Sequence, residues 1–346
     1  MKKQFSKPSV LKKGDFVGVI APSDFVMEAD VKKGIELLNS WGLQVKVGRN
    51  TFKKNLDFQA GTLVERKRDF LTMAKDPEVK VIWVAGGGYA SFDILRFFED
   101  EILPILQQQK KTVIGYSDTT SFQVLLFKNH MVSVQAPNMG GIAYTNELSH
   151  SKIKNLIFTG CTEKFEDGKC NVKADLRVIR PSRAIGKGKL ISGNLETLID
   201  TTSAGFDFFA SDDFPIILGV EELDLPKSDI RRYAEILAMH PKASRIKGLI
   251  LGRFIYGSHE DYPTWAQRNH TGDIFKKHLG DLLDIPVVQT YRWGHFWGKE
   301  ALRRLLKLQK KEKQMFYPMP NGVDVEVHTH GNKGEIFVIE PVFLPN

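Results

Sequence analysis

A chain of 346 residues, 42% of them hydrophobic, exceeds the usual size of one hydrophobic core, so two folded domains are expected and a disordered chain is excluded. The formal net charge of +8 suits an anionic partner, but it is spread along the chain, and its densest run, residues 307–313, reads as a solvated helical face rather than a nucleic-acid patch. No apolar run is long enough for a membrane helix, and the positively charged N-terminus lacks a following apolar segment, so a cytoplasmic protein with neither membrane nor nucleic-acid partner is expected.

Residues 16–22 form an apolar, β-branched run closed by the turn residues Ser23 and Asp24, the pattern of a buried strand. Val31, Ile35 and Leu38 then recur at helical spacing up to Gly42, and residues 43–47 alternate as a second strand, which completes a βαβ unit. A helical stretch from Gly61 to Asp76 leads into an apolar strand over 79–85, followed directly by Gly86, Gly87, Gly88 and Tyr89. Glycines at that point let the backbone approach a ligand closely, and Ser91 is placed to cap the helix over 92–98. The glycine patterns of nucleotide sites are missing, so the turn is read instead as a source of an N–H group for an oxyanion.

The next apolar run breaks at Gly115, Tyr116, Ser117 and Asp118 and resumes over 121–127, giving strand, sharp turn and helix. A serine there sits above a strand's carboxyl end and at a helix N-terminus, where free N–H groups and the helix dipole favour an oxyanion. Thr119 occupies the last position of the usual Gly-x-Ser-x-Gly elbow, and a serine that merely caps its helix accounts for the tetrapeptide equally well.

Residues from about 147 to 183 show no sustained periodicity and are assigned to an interdomain connection. Two cysteines, Cys161 and Cys170, are too few for a disulfide framework and read as buried thiols, with a single hairpin bridge as the alternative. Beyond them, residues 186–198 read as a strand feeding a glycine turn and a helix start, and 214–220 as a buried strand that delivers Glu221 and Glu222. An amphipathic helix over 230–238 and a strand over 246–252 follow, and a run at 285–288 leads through Trp293 and Gly294 to His295. The expected architecture is α/β in two domains: an N-terminal parallel-sheet domain over 1–150, flavodoxin-like or related, a connection over 151–185, and a mixed α/β domain over 186–346, with the site at their interface.

A serine nucleophile needs a base, and the base an orienting carboxylate. Of nine histidines, His295 differs by its context, after a glycine in an aromatic-rich loop at a strand end. His328 and His330 share a strand face without a third metal ligand nearby, and neither metal nor cofactor is expected. Adjacent strand residues face opposite ways, so at most one of Glu221 and Glu222 enters a given site, and the residues alone leave the choice open.

With Gly87, Gly88 and Tyr89 upstream of Gly115, Tyr116, Ser117, Asp118, Thr119 and Thr120, and with Ser192, Gly193, Asn194 and Leu195, Glu221, and Gly294 with His295 further on, the chain resembles the L,D-carboxypeptidase family. These are serine peptidases of the murein tetrapeptide carboxypeptidase and microcin C immunity type. The resemblance runs nearly end to end. It implies Ser117 as nucleophile, Glu221 and His295 as its partners, and the N–H groups of Gly87 or Gly88 and of Asp118 as the oxyanion hole. Tyr89, Asn194 and Trp293 are expected to contact substrate, Glu221 to point into the cleft, and Glu222 to point away. A homodimer is implied as well.

This chain departs from the family in carrying Gln135, Ala136 and Pro137 where His-Gly-Pro is usual, Glu222 where aspartate is common, and an added amphipathic stretch over 301–310, read as a surface or dimer helix. The implied activity is removal of the terminal D-alanine from peptidoglycan tetrapeptides, with surplus lysine and arginine drawing in a carboxylate-rich substrate. The alternative is hydrolysis of aminoacyl-nucleotide antibiotics, with Trp293, Phe296 and Trp297 stacking the base. A non-catalytic nucleic-acid or interaction protein ranks last, because no interleaved basic and aromatic motif is present.

Overall fold

The computed structural model describes residues 4–163, 170–172, 176–180, 183–210, 212–255, 271–295 and 315–345. The stretch 301–310, the basic run 307–313, Phe296 and Trp297 lie outside the described residues.

The first half runs β1 (Phe16–Ile20), α1 (Glu28–Ser40), β2 (Gln44–Val47), α2 (Leu63–Lys75), β3 (Val79–Val84), α3 (Phe92–Phe97), α4 (Leu103–Gln108), β4 (Thr112–Gly115), α5 (Thr120–Lys128) and β5 (Ser133–Gln135). These strands pair in parallel in the order β2-β1-β3-β4-β5, the flavodoxin-like arrangement, in which ligands collect beyond the carboxyl ends of the strands. Helices cover the sheet, so the central strands read as continuous apolar runs; in β3 only Lys80 is exposed. Helix α2 starts on a local signal: Thr62 and Glu65 form a reciprocal capping box.

The second half runs α6 (Met139–Ile142), α7 (Glu147–Thr159), β6 (Cys170–Val172), β7 (Leu176–Arg180), β8 (Arg183–Asn194), α8 (Leu195–Ser203), β9 (Ile216–Leu223), α9 (Lys227–Met239), β10 (Ile246–Ile255), β11 (Val287–Thr290), β12 (Met319–Asn321), β13 (Asp324–His330) and β14 (Lys333–Val338). Its sheet has the order β6-β14-β13-β8-β9-β10-β11-β7. Strands β8 to β11 are parallel, and the strands on both flanks are antiparallel. The architecture is therefore two-sheet α/β, one sheet mostly parallel and the other mixed. Among the described residues no helix is long and apolar enough to cross a membrane.

Several expectations change. The stretch read as an aperiodic connection holds α7 and the strands β6 and β7 of the larger sheet. The short strand β12 returns from the far end of the chain to pair antiparallel with β5. No separate glycine turn precedes α8: Gly193 and Asn194 are still paired in β8, which passes directly into the helix at Leu195, and Gly186 and Gly188 lie inside β8 where neighbouring backbone approaches. A Cβ at Gly186 would lie 2.0 Å from the Lys247 carbonyl oxygen, and one at Gly188 2.5 Å from that of Pro215. Cys161 is buried and disulfide-bonded, not a free thiol.

The two sheets meet where β8 ends. Gly193 packs on Thr120 so closely that a Cβ would lie 2.3 Å from its methyl carbon. Thr120 Oγ1 accepts the Asn194 N–H at 3.0 Å and an N–H of the Gln135 amide at 3.1 Å. Gln135 thus buttresses the seam between the sheets.

Candidate active site

Ser117 sits between β4 and α5 with φ of +65°, a left-handed conformation that costs a non-glycine residue on the order of 1–3 kcal/mol and persists only where the surroundings impose it. Asn138 imposes part of it: its Oδ1 accepts the Tyr116 N–H at 3.0 Å and its amide donates to the Tyr116 carbonyl at 3.4 Å. Gly115 leaves room for this clasp, since a Cβ there would lie 2.8 Å from Asn138 Oδ1. The turn raises the hydroxyl toward the second sheet.

His295 meets it from that side. Its Nε2 lies 3.0 Å from Ser117 Oγ, and its Nδ1 lies 2.6 Å from Glu221 Oε2, which also accepts the His295 backbone N–H at 2.8 Å. A carboxylate beside Nδ1 fixes the ring proton there and leaves Nε2 to accept from the serine hydroxyl. Burial works against the imidazolium, but the charge and hydrogen bond of Glu221 outweigh it and raise His295 above its ordinary 6.5. Glu221 is fully buried, and its Oε1 has no hydrogen-bond partner among the described residues.

Two glycines let Glu221 fit. A Cβ at Gly252 would lie 2.8 Å from Glu221 Cβ, and one at Gly294, whose φ is +100°, would lie 2.7 Å from it. Arg253, next along β10, holds the histidine loop by its carbonyls. It donates to Tyr291, to Gly294 at 3.1 Å, to His295 at 3.4 Å and to Met315 at 2.5 Å. Burial lowers this guanidinium to about 10, opposed by Glu221 and Tyr116, so it remains charged at neutral pH.

A cavity of about 470 Å³ opens over this contact, lined by Gly87, Gly88, Tyr89, Asp118 and Asn194 as well as Ser117 and His295. Gly87 is in contact with the serine turn: a Cβ on it would lie 2.9 Å from Ser117 Oγ. Tyr89 stands at the mouth, 78% exposed. Asn194 caps α8 by accepting the Thr197 N–H at 3.0 Å and donates to Glu222 Oε1 at 3.0 Å.

Four expectations are corrected here. Trp293, expected to contact substrate, is fully buried against Gly252 and Gly219, because the histidine loop folds it under the sheet end. Glu222 does not point away; it lines the cavity, because at the strand's end both faces open toward the site. It accepts the Leu223 N–H at 2.7 Å and the Glu196 N–H at 2.9 Å, while burial and then the Glu221 charge push it up to about 8. Ser91 makes no cap hydrogen bond to its helix; its hydroxyl donates to Asp118 at 2.6 Å. The cavity wall is acidic, with Asp24, Glu196, Asp200, Glu222 and Asp224, and no lysine or arginine among its described lining. Sequence reasoning missed Asn138, Arg253 and the Asp118 carboxylate. The available signal was that a charge near a buried strand end requires partners.

The arrangement places an acceptor nitrogen on a hydroxyl, a carboxylate behind that nitrogen and a glycine loop beside the oxygen, parts suited to acyl transfer. A profile for the LD-carboxypeptidase N-terminal domain matches residues 17–136, and one for the LD-carboxypeptidase C-terminal domain matches 187–303. A Bacillus subtilis protein named a probable murein peptide carboxypeptidase is 28% identical over 293 residues, covering 84% of this chain and 86% of that one. The Escherichia coli microcin C7 self-immunity protein is 24% identical over 310 residues, covering 82% of this chain and 86% of that one. The crystal structure of muramoyltetrapeptide carboxypeptidase from Oxalobacter formigenes superposes with a TM-score of 0.71 at 21% identity, covering 96% of this chain and all of that one. With both domain profiles matched in order, and between them more than half of its length, this chain belongs to the LD-carboxypeptidase family.

Proposed function

We propose that the protein is a serine-type L,D-carboxypeptidase that removes the terminal D-alanine from peptidoglycan tetrapeptides through an acyl-enzyme. The observation that carries this reading is the unbroken relay from Ser117 Oγ through His295 to Glu221, at 3.0 and 2.6 Å. Ser117 Oγ attacks the carbonyl carbon of the penultimate residue as His295 Nε2 takes its proton, and the carbonyl oxygen becomes an oxyanion beside the N–H groups of the Gly87–Gly88 loop and Asp118. The imidazolium, held by Glu221, protonates the leaving amine of D-alanine. Water then attacks the ester, its proton passing to His295, and the acid product leaves with Ser117 restored.

The carboxylate wall supports a substrate that presents an amine, such as the free amino group of a diamino acid at the third position, over an anionic nucleotide. With Trp293 buried, that residue is not available to stack a base, which weakens the aminoacyl-nucleotide alternative. The same reading carries a homodimer and a cytoplasmic location. The test is mass spectrometry after incubation with tetrapeptide, disaccharide tetrapeptide and an aminoacyl sulfamoyl adenylate. Release of D-alanine from the first two is expected; cleavage of the adenylate alone would transfer the protein to the immunity type.

A further inference from the structure

Asp118 is 3% exposed, and its carboxylate gathers three donors from two other loops. Ser23 Oγ donates to Oδ2, the Ser91 N–H reaches the same oxygen at 2.9 Å, and Ser91 Oγ donates to Oδ1 at 2.6 Å. The Ser23 hydroxyl is oriented from behind, because its oxygen already accepts the Ala90 N–H at 3.2 Å. Its hydrogen therefore faces Asp118. One carboxylate thus ties the loop after β1 and the glycine loop after β3 to the residue that follows Ser117. At Gly87 the glycine loop touches the serine turn with no room for a Cβ, so a loosened tie changes the distance between the groups that would receive the oxyanion.

We propose that the Asp118 side chain is a positioning residue: its ionised carboxylate locks the glycine loop onto the nucleophile turn and sets the spacing of the oxyanion donors. The proposal rests on the serine mechanism above. A protonated carboxyl loses the charge that strengthens all three contacts, and its hydrogen falls either on Oδ2, where the fixed Ser91 N–H and the Ser23 hydroxyl already donate, or on Oδ1, where it displaces the Ser91 hydroxyl hydrogen. The lock therefore opens when Asp118 takes a proton. Burial pushes this group up to about 6; the Ser23 and Ser91 hydrogen bonds oppose the rise, and Asp24, the charged group facing it from the loop after β1, adds to it. Acid then acts on two buried groups at once, protonating His295 and releasing the loop.

The experiment measures the rate at which a fluorophosphonate labels Ser117, together with turnover of the tetrapeptide, across pH 4.5 to 8. Asp118→Asn keeps the shape but turns one acceptor into a donor. We expect labelling and kcat to fall about 10²-fold, the scale of one lost oxyanion donor, with KM within about threefold of wild type. The acid limb should change from a two-proton to a one-proton slope. Ser91→Ala, a milder variant should Asp118→Asn not fold, removes a donor that favours the anion and should move the lower break of the limb to higher pH. An acid limb unchanged in both slope and position in the folded variants would overturn the proposal. Labelling of Ser117 without tetrapeptide turnover would overturn only the substrate assignment, whereas a wild-type Ser117 that resists labelling would overturn the nucleophile and the lock with it.

Discussion

Ser117 and His295 lie 178 positions apart and meet at 3.0 Å, but each is brought there by a different kind of restraint. The serine is held by what precedes and follows it. β4 ends, φ turns positive at Ser117, a short 3₁₀ turn follows, and α5 begins, so contiguous residues carry most of the geometry and Asn138 clasps the residue before the serine. The histidine has no comparable local frame. Glu221 comes from β9, Gly252 and Arg253 from β10, and His295 from the loop after β11, so three strand ends must align before the ring is held. The serine half should therefore depend on its immediate neighbours and on the few side chains that clasp its turn, Asn138 and the partners of Asp118. The histidine half should be sensitive to residues that line no part of the cavity, such as Gly252 and Arg253.

The largest effect tests the first half of that statement. Ser117→Ala should lower turnover by about 10⁶-fold while the protein stays folded. Ser117→Gly, equally inactive, should be more stable than wild type by about 1 kcal/mol, because glycine adopts φ of +65° without strain. A glycine variant that melts lower would show that the turn stores no strain.

On the base side, Glu221→Gln should cost about 10⁴-fold in turnover by analogy with serine triads. It should also move the acid limb of kcat/KM. Glu221 is what raises His295 above 6.5 against burial; without it the ring holds its proton less tightly, so the midpoint falls. A pH–rate profile that loses height but keeps its midpoint would break the Glu221–His295 linkage.

Arg253→Lys is a smaller perturbation. An ammonium has three donors and no planar fork, and it cannot replace a guanidinium that reaches four carbonyls. We expect kcat to fall about 10- to 100-fold through misplacement of the ring, with KM little changed and the melting temperature lowered by a few degrees. Turnover per folded molecule equal to wild type would show that the loop is held without it.

The smallest effect on turnover is expected at Glu222, where the readout is stability. Its folded value of about 8 lies above the ordinary 4.5, so between those pH values the folded state binds a proton that the unfolded chain has released. Stability should fall as pH rises through that window. Glu222→Gln cannot ionise, so its melting temperature relative to wild type should be higher at pH 8 than at pH 5. Equal differences at the two pH values would place an ionised carboxylate in the cavity wall already at pH 5.

Much of this was legible beforehand. The strands β1, β3, β4 and β9 are largely apolar runs, broken in β3 by Lys80 and ending in β9 on Glu221 and Glu222, and Ser117 and His295 stand at breaks in such runs. The misreadings have one origin. Ser91 looked like a cap because its neighbours in sequence were visible and its partner Asp118, 27 positions away, was not. Trp293 looked like a binding residue because an aromatic loop reads the same whether its rings face a ligand or a sheet end. The choice between Glu221 and Glu222 assumed one strand face per site, and the site lies at a strand end where both faces open.

What the amino-acid order determined by itself is what depends on neighbours a few residues apart: the alternation of strands and helices, the capping box at α2, the glycines after β3 and the sharp turn at Ser117. Tertiary structure alone decided which side chain reaches which. It set Glu221 under His295, closed Arg253 on the histidine loop, ringed the cavity with carboxylates in a chain of positive net charge, and brought β12 back beside β5. The physical reason is one of range. Backbone preference and hydrophobic period act within a turn or two of chain, whereas a hydrogen bond or a buried charge is satisfied by whatever the packing of two sheets places within about 3 Å of it.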